Sequence, residues 1–196
     1  MAPLRRLRSL LALTRSRGIA RRYFVVNGFD GALTMLGLIM GFHAGGGVPV
    51  SVALGACAGA AIALAVSGVT SAYLSETAER RRELAELESA MATRLDASAL
   101  GRAARVAPML VSAVNGLAPL AISLVIMLPL VLARAGWWPP GEALRSAIGV
   151  AFAVIFLLGV FLGRVGGMFW LWSGLRTLAI GVVTALAIFL LGHALG

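Results

Sequence analysis

The sequence contains no lysine, a single cysteine and only eight acidic residues among 196. Charged residues of both signs make up 13%, where a soluble domain of this length carries roughly a quarter. So little charge cannot cover a water-facing surface, and a soluble globular fold is excluded. The lone Cys57 excludes an internal disulfide, and no Cys/His spacing suggests a zinc site. Lying in an apolar run, it reads as a small residue packed in a helix. All 17 basic residues are arginine, giving a formal charge of +9. That charge would suggest nucleic acid, but the arginines lie almost wholly between the apolar runs, so no nucleic-acid partner is expected.

What is present is apolar: 60% of residues are hydrophobic and the mean hydropathy is +0.94. Runs long enough to cross a hydrocarbon core of roughly 30 Å recur five times. They cover about 24–42, 50–75, 106–133, 144–163 and 174–195, which makes the chain an all-α membrane protein with five transmembrane helices and membrane lipid as its surroundings. The nearest alternative has four spans, with the last two runs forming a re-entrant pair. An uncharged turn with His43, three glycines and Pro49 joins the first two runs. The second is rich in Ala and Gly, which lets helices approach closely in lipid. From Glu76 the chain turns charged yet keeps strong helix formers, with Leu84, Leu87, Met91 and Leu95 at helical spacing, so the second span is expected to continue as one helix beyond the membrane. Pro119 and Pro129 predict kinks in the third span. Trp137, Trp138, Pro139 and Pro140 read as an interfacial turn.

The chain divides into four segments: 1–22, basic and juxtamembrane; 23–75, the first two spans; 76–105, a short charged helical insert; and 106–196, the last three spans. Residues 4–20 are expected to form an amphipathic helix on anionic lipid, with an organelle transit peptide as the alternative. Fifteen of the seventeen arginines fall in the N-terminal segment, the 76–105 insert and the 164–176 link, against Arg134 and Arg145 on the other side. By the positive-inside rule the N-terminus and the insert face the cytoplasm. Abundant Ala, Gly and Arg without lysine suggest a GC-rich microbial genome and hence the plasma membrane of a prokaryote.

One carboxylate, Asp30, lies within a span, about 12 Å along the helix from Arg22. A charge there costs on the order of 2.5–3.5 kcal/mol by insertion scales, so it is a functional candidate by default. Asn27 lies one turn below it, and Met35 and Met40 lie above. Ser67, Thr70, Ser71 and Tyr73 of the second span and Asn115 of the third fall at similar depth. Carboxylate and amide oxygens suit Mn²⁺ and Fe²⁺, and thioether sulfur favours a softer ion than Mg²⁺ or Ca²⁺. The blander readings are an ion pair of Asp30 with Arg164 or Arg176, methionines that only pack, and asparagines that bond between helices. Beyond the membrane, Glu76, Glu79, Glu83 and Glu86 line one helix face. They read either as a solvated face with local ion pairs or as a cation-collecting face. His43 and His193, at the outer ends of the first and fifth spans, are candidates to release a metal or take up a proton, though interfacial histidines usually do neither.

These residues resemble the vacuolar iron transporter family, five-span proteins that move Fe²⁺ or Mn²⁺ out of the cytoplasm. NGFDGALTMLGLIMGF in the first span resembles the family's Asp-Gly-Leu-Val signature at Asp30 and Gly31. SAYLSETAERRREL resembles its Glu-Tyr-Leu-Ser run leading into an acidic cytoplasmic helix. SAVNGLAPLAISLVIMLPLVL and SGLRTLAIGVVTALAIFLLG resemble its third and fifth spans. The resemblance covers about 20–195 and implies a homodimer, a metal path at the subunit interface lined by the first span, and proton antiport. It makes Asp30 the intramembrane ligand or proton carrier and Glu76–Glu86 the cytoplasmic collector, with Fe²⁺ or Mn²⁺ as cargo and no permanently bound cofactor. Two departures stand out: Ala72 replaces the glutamate of the Glu-Tyr-Leu-Ser run, and the insert is much shorter than the three-helix metal-binding domain of eukaryotic members. Glu76, one turn on, is the candidate substitute. The competing reading is a non-transporting scaffold or metal sensor in which Asp30 serves a structural ion pair. An enzyme is not expected: Phe29-Asp30-Gly31 resembles one corner of a lipid phosphotransferase signature, but its further aspartates and Ala-Arg are absent.

Overall fold

Residues 16–195 are described by the structure, a computed structural model. Five helices account for almost all of them: α1 (Ser16–Ala44), α2 (Val50–Met91), α3 (Ala99–Arg134), α4 (Pro140–Val165) and α5 (Trp170–Leu195). Each is long and apolar enough to cross a membrane, and the protein is a five-span all-α membrane protein. The surface helix expected over 4–20 lies outside the described residues, apart from 16–20, which belong to α1. The side chain of His193 lies outside them too.

At 42 residues α2 is about 63 Å long, roughly twice the hydrocarbon core. It continues unbroken through Glu76, as its helix formers predict. The 76–105 segment is therefore the end of α2, a turn, and the beginning of α3. Side chains fix the turn. Glu88 Oε1 accepts from Leu95 N at 2.6 Å, and Ser98 Oγ accepts from Gly101 N at 3.1 Å, an N-cap for α3. Of the leucine stripe expected here only Leu95 is buried, and it lies beyond the helix end; Leu87 and Met91 are exposed. Glycines with positive φ, Gly46 and Gly47 at 89° and 85°, turn the chain between α1 and α2. Pro140 opens α4, where a missing N–H costs nothing, and the exposed Trp138 Nε1 donates to Ser146 Oγ at 3.2 Å. Pro119 and Pro129 lie inside α3 without ending it.

Two compact units divide the described residues: one of those up to Phe24 with Ala65–Ala118, the other of Val25–Leu64 with those from Pro119 onward. In the first, α2 and α3 meet at glycines. A Cβ on Gly68 would lie 3.0 Å from Asn115 O, and one on Gly116 3.1 Å from Val69 N. Asn115 Nδ2 donates to Gly68 O at 2.6 Å across this contact. With water absent, such close packing and polar bonds between helices take over from the hydrophobic effect.

The second unit holds the apolar core. Ala32, Met35, Leu36 and Ile39 form the buried stripe of α1, at helical spacing. Against them lie Ala53, Cys57 and Ala61 of α2, Ile126 and Leu130 of α3, and Ala143, Ala147 and Ala151 of α4. Cys57 is thus a packed small residue. Helices α4 and α5 join through Gly159 and Gly163, set against Ser173 and Thr177. A Cβ at Gly159 would lie 2.9 Å from Ser173 O, and one at Gly174 2.6 Å from Phe156 Cε2. Thr177 Oγ1 reaches Ile155 O of α4 at 3.2 Å while bonding Gly174 O at 2.9 Å.

Gly159→Ala is expected to destabilise the protein by about 1–3 kcal/mol, because the new methyl overpacks this joint. Gly55→Ala, at a glycine with open space around it, leaves the melting temperature in detergent unchanged or raises it. Equal melting temperatures for wild type and Gly159→Ala would show that the α4–α5 joint has room for a methyl group.

Candidate ion site

The placement of Asp30 is set by its neighbour. A Cβ on Gly31 would come within 2.8 Å of both Cα and O of Pro119, backbone atoms that cannot swing away. Only glycine lets α1 lie this close to α3. One residue back along the helix, about 100° round the axis, Asp30 is turned out of the unit and is exposed. It shares this outer face with Val26, which is 53% exposed, and with Gly41, which has open space around it.

Among the described residues Asp30 makes no hydrogen bond and no ion pair. The expected structural pairing with Arg164 or Arg176 is absent: neither guanidinium comes within 4.0 Å of the carboxylate. Arg164 instead lies over the ring of Trp170, 6.0 Å from its centroid. Arg176 lines a largely apolar cavity with Phe29, Leu33 and Trp172. Asn27, three residues before Asp30, is half-buried. Met35 is fully buried in the apolar core, about 140° round the helix from Asp30, so its sulfur and the carboxylate face different ways. No three His, Cys, Asp or Glu side chains converge as a metal site among the described residues.

The glutamate face forms a ladder of ion pairs. Arg80 lies between two carboxylates, with Nη1 2.7 Å from Glu83 Oε2 and Nη2 3.4 Å from Glu76 Oε2. The Arg80 and Glu76 side chains are only 10% and 11% exposed. Arg82 Nε donates to Glu86 Oε1 at 2.9 Å on the solvated side. Hydrogen bonding to Glu86, then its charge and that of Glu79, raise the Arg82 pKa above its ordinary value. Glu79 alone of the four makes no ion pair among the described residues. Three of the four carboxylates thus pair with local arginines, the arrangement expected of a face with local ion pairs. The sequence carried the signal, since Arg80 stands four residues after Glu76 and three before Glu83.

Other polar candidates resolve as structure. Asn115 is the interhelical donor to Gly68 O. Ser71 and Ser75 hydroxyls bond to carbonyls of their own helix. Ala72 is 3% exposed, so a glutamate there would be buried. Glu76, its expected substitute, is held by Arg80. His43 is exposed at the end of α1. The contribution of Pro119 is invisible in one dimension: its proline pattern suggests a kink, and nothing in the residue names Gly31 as its neighbour.

No family model matches the chain. It is similar to an uncharacterized protein of Methanocaldococcus jannaschii, 28% identical over 176 residues and covering 88% of both chains.

Replacing Arg80 by methionine strands the half-hidden Glu76 carboxylate, and is expected to cost about 3 kcal/mol of stability. Arg82→Met, at a solvated pair, leaves the melting curve essentially unmoved. Thermal melts of the two variants side by side check this, and equal curves would show that the Arg80 pairs are as dispensable as surface ones.

Proposed function

We propose that this protein is a divalent-metal transporter that moves Fe²⁺ or Mn²⁺ out of the cytoplasm in exchange for protons, working as a homodimer. The observation that carries the reading is Asp30, a carboxylate in a membrane span that faces outward without a partner. A bare charge against hydrocarbon is costly, so the group must be protonated, hydrated or met by something beyond its own chain. A second copy of α1 meets it most simply. Two-fold symmetry brings residues of one face together in pairs, so two carboxylates, with Asn27 amides close by, supply the hard oxygen ligands that one chain lacks. The small residue Gly41 on the same outer stripe allows close approach of helices.

The exchange arises from competition at one group. A pair of carboxylates holding a divalent cation must be deprotonated, and when the cation leaves, one proton on each restores neutrality in the low-dielectric surroundings. Metal and proton then occupy the same residue in alternation, which is antiport. The resemblance of the Asp30–Gly31 segment to the vacuolar iron transporters supports the choice of cargo. Met35, packed in the core, has no part in the ligand set. Glu79 is the carboxylate free to attract cations at the surface, whereas Glu76, Glu83 and Glu86 must first release their arginines. By its arginine asymmetry and its composition, the protein belongs in a prokaryotic plasma membrane.

Ala72 and the paired ladder favour a second reading, in which the protein binds metal as a sensor or scaffold but does not move it. Proteoliposomes separate the two. With an imposed pH gradient, wild type is expected to move Fe²⁺ or Mn²⁺, and Asp30→Asn to lose at least about tenfold of that flux. Flux in the mutant equal to wild type ends the assignment of Asp30; metal binding without flux in well-folded wild type selects the sensor. The dimer has its own check. In a Cys57→Ala background, Val26→Cys is expected to cross-link copies of the chain on mild oxidation in membranes, since a disulfide needs Cα atoms within roughly 7 Å. Monomer only, with a cross-link from a cysteine on another helix, would move the interface away from α1.

A further inference from the structure

Within the first unit, the C-terminal part of α2 and the opening turns of α3 border a cavity of about 400 Å³. Its lining is chemically uneven. Arg80, Arg81 and Arg105 contribute three guanidinium groups against one carboxylate, Asp96, and Tyr73 and Thr77 add hydroxyls. Arg105 is braced, its Nη2 donating to Asp96 O at 3.0 Å. Arg81 makes no ion pair among the described residues, although its helix carries four glutamates in eleven positions. Arg80 is nine-tenths buried, and its terminal nitrogens are held by Glu76 and Glu83.

Two buried polar atoms of this unit have no hydrogen-bond partner among the described residues, Thr77 Oγ1 and Arg80 Nε, and both belong to residues that line the cavity. A buried donor left unmatched is costly and uncommon in a native fold, and two beside one cavity call for an acceptor inside it. The acceptor must tolerate two further guanidinium groups that lack carboxylates, which calls for a multivalent oxyanion. Planar guanidinium donors match phosphate oxygens in geometry as well as charge.

We propose that this cavity is a binding site for a phosphate group. Arg81 and Arg105 supply the charge, and Arg80 and Thr77, whose unmatched atoms lie buried in its wall, supply the further donors. Position favours the phosphate of an anionic lipid headgroup. The cavity lies where both helices change from apolar to charged sequence, at Ser75–Glu76 on α2 and Arg105–Val106 on α3. Tyr73 and Met109, 41% and 59% exposed, give it an apolar flank for the first carbons of a lipid. Free phosphate offers the same oxygens, and experiment distinguishes the two sources.

The test titrates delipidated full-length protein in neutral detergent with inorganic phosphate and, separately, with short-chain phosphatidylglycerol, binding being read by calorimetry. Saturable binding is expected, weakened at least about tenfold in Arg81→Gln and in Arg105→Gln. Arg82→Gln removes an equal charge from the same helix outside the cavity and should bind like wild type. Tighter binding of the lipid than of phosphate names the headgroup as source; binding of phosphate alone names the free anion. Arg81 is exposed and holds no structural bond, so its variant keeps the test open should Arg105→Gln lose stability. Absence of saturable binding by either ligand, or equal weakening by Arg82→Gln, overturns the proposal.

Discussion

The contact of Gly31 with the backbone of Pro119 orients α1 within the second unit. With no side chain on Gly31, α1 comes down directly on the backbone of Pro119 in α3, and the helical periodicity then dictates where every other α1 residue points. Ala32, Met35, Leu36 and Ile39 turn inward and build the core. Asp30 turns outward. The one carboxylate inside a span is therefore presented beyond its own chain by a steric fact about its neighbour. A charged side chain in lipid needs such a fixed setting, because without it the residue would rotate toward whatever arginine or carbonyl it could reach.

The same economy of side chains recurs where α4 meets α5 and where α2 meets α3. In lipid, burying an apolar surface gains nothing over leaving it against acyl chains, so stability comes from close packing and from a few polar bonds between helices. Gly159, Gly163 and Gly174 permit the first, and Thr177 and Asn115 provide the second. Large aliphatic residues are correspondingly spent on the outside, where Leu186, Leu190 and Leu191 are exposed.

Charge obeys a different rule beyond the membrane. There the glutamates of α2 largely pair with neighbouring arginines, while Arg81 of α2 and Arg105 of α3, which make no ion pair among the described residues, border a cavity beside two buried polar atoms without a partner there. The ion exchange proposed at Asp30 and the phosphate binding proposed at this cavity would be separate chemistries on separate units.

Sequence alone determined the class, the number of spans and the continuation of α2 past Glu76, because those depend on composition and local periodicity, which neighbours along the chain suffice to set. It also isolated Asp30, since a carboxylate amid apolar residues is conspicuous without any knowledge of packing. The pairing of the glutamate face was legible too, in its i,i+3 and i,i+4 spacing. Sequence left open whether Asp30 pairs with an arginine and whether Met35 joins it. Those answers came from tertiary structure, because they turn on rotation about a helix axis. A shift of about 140° separates Met35 from Asp30, and the axis is oriented by a glycine–proline contact between residues 88 positions apart. The cavity between Arg81 and Arg105 was equally hidden, since only the turn held by Glu88 and Ser98 folds its two walls together.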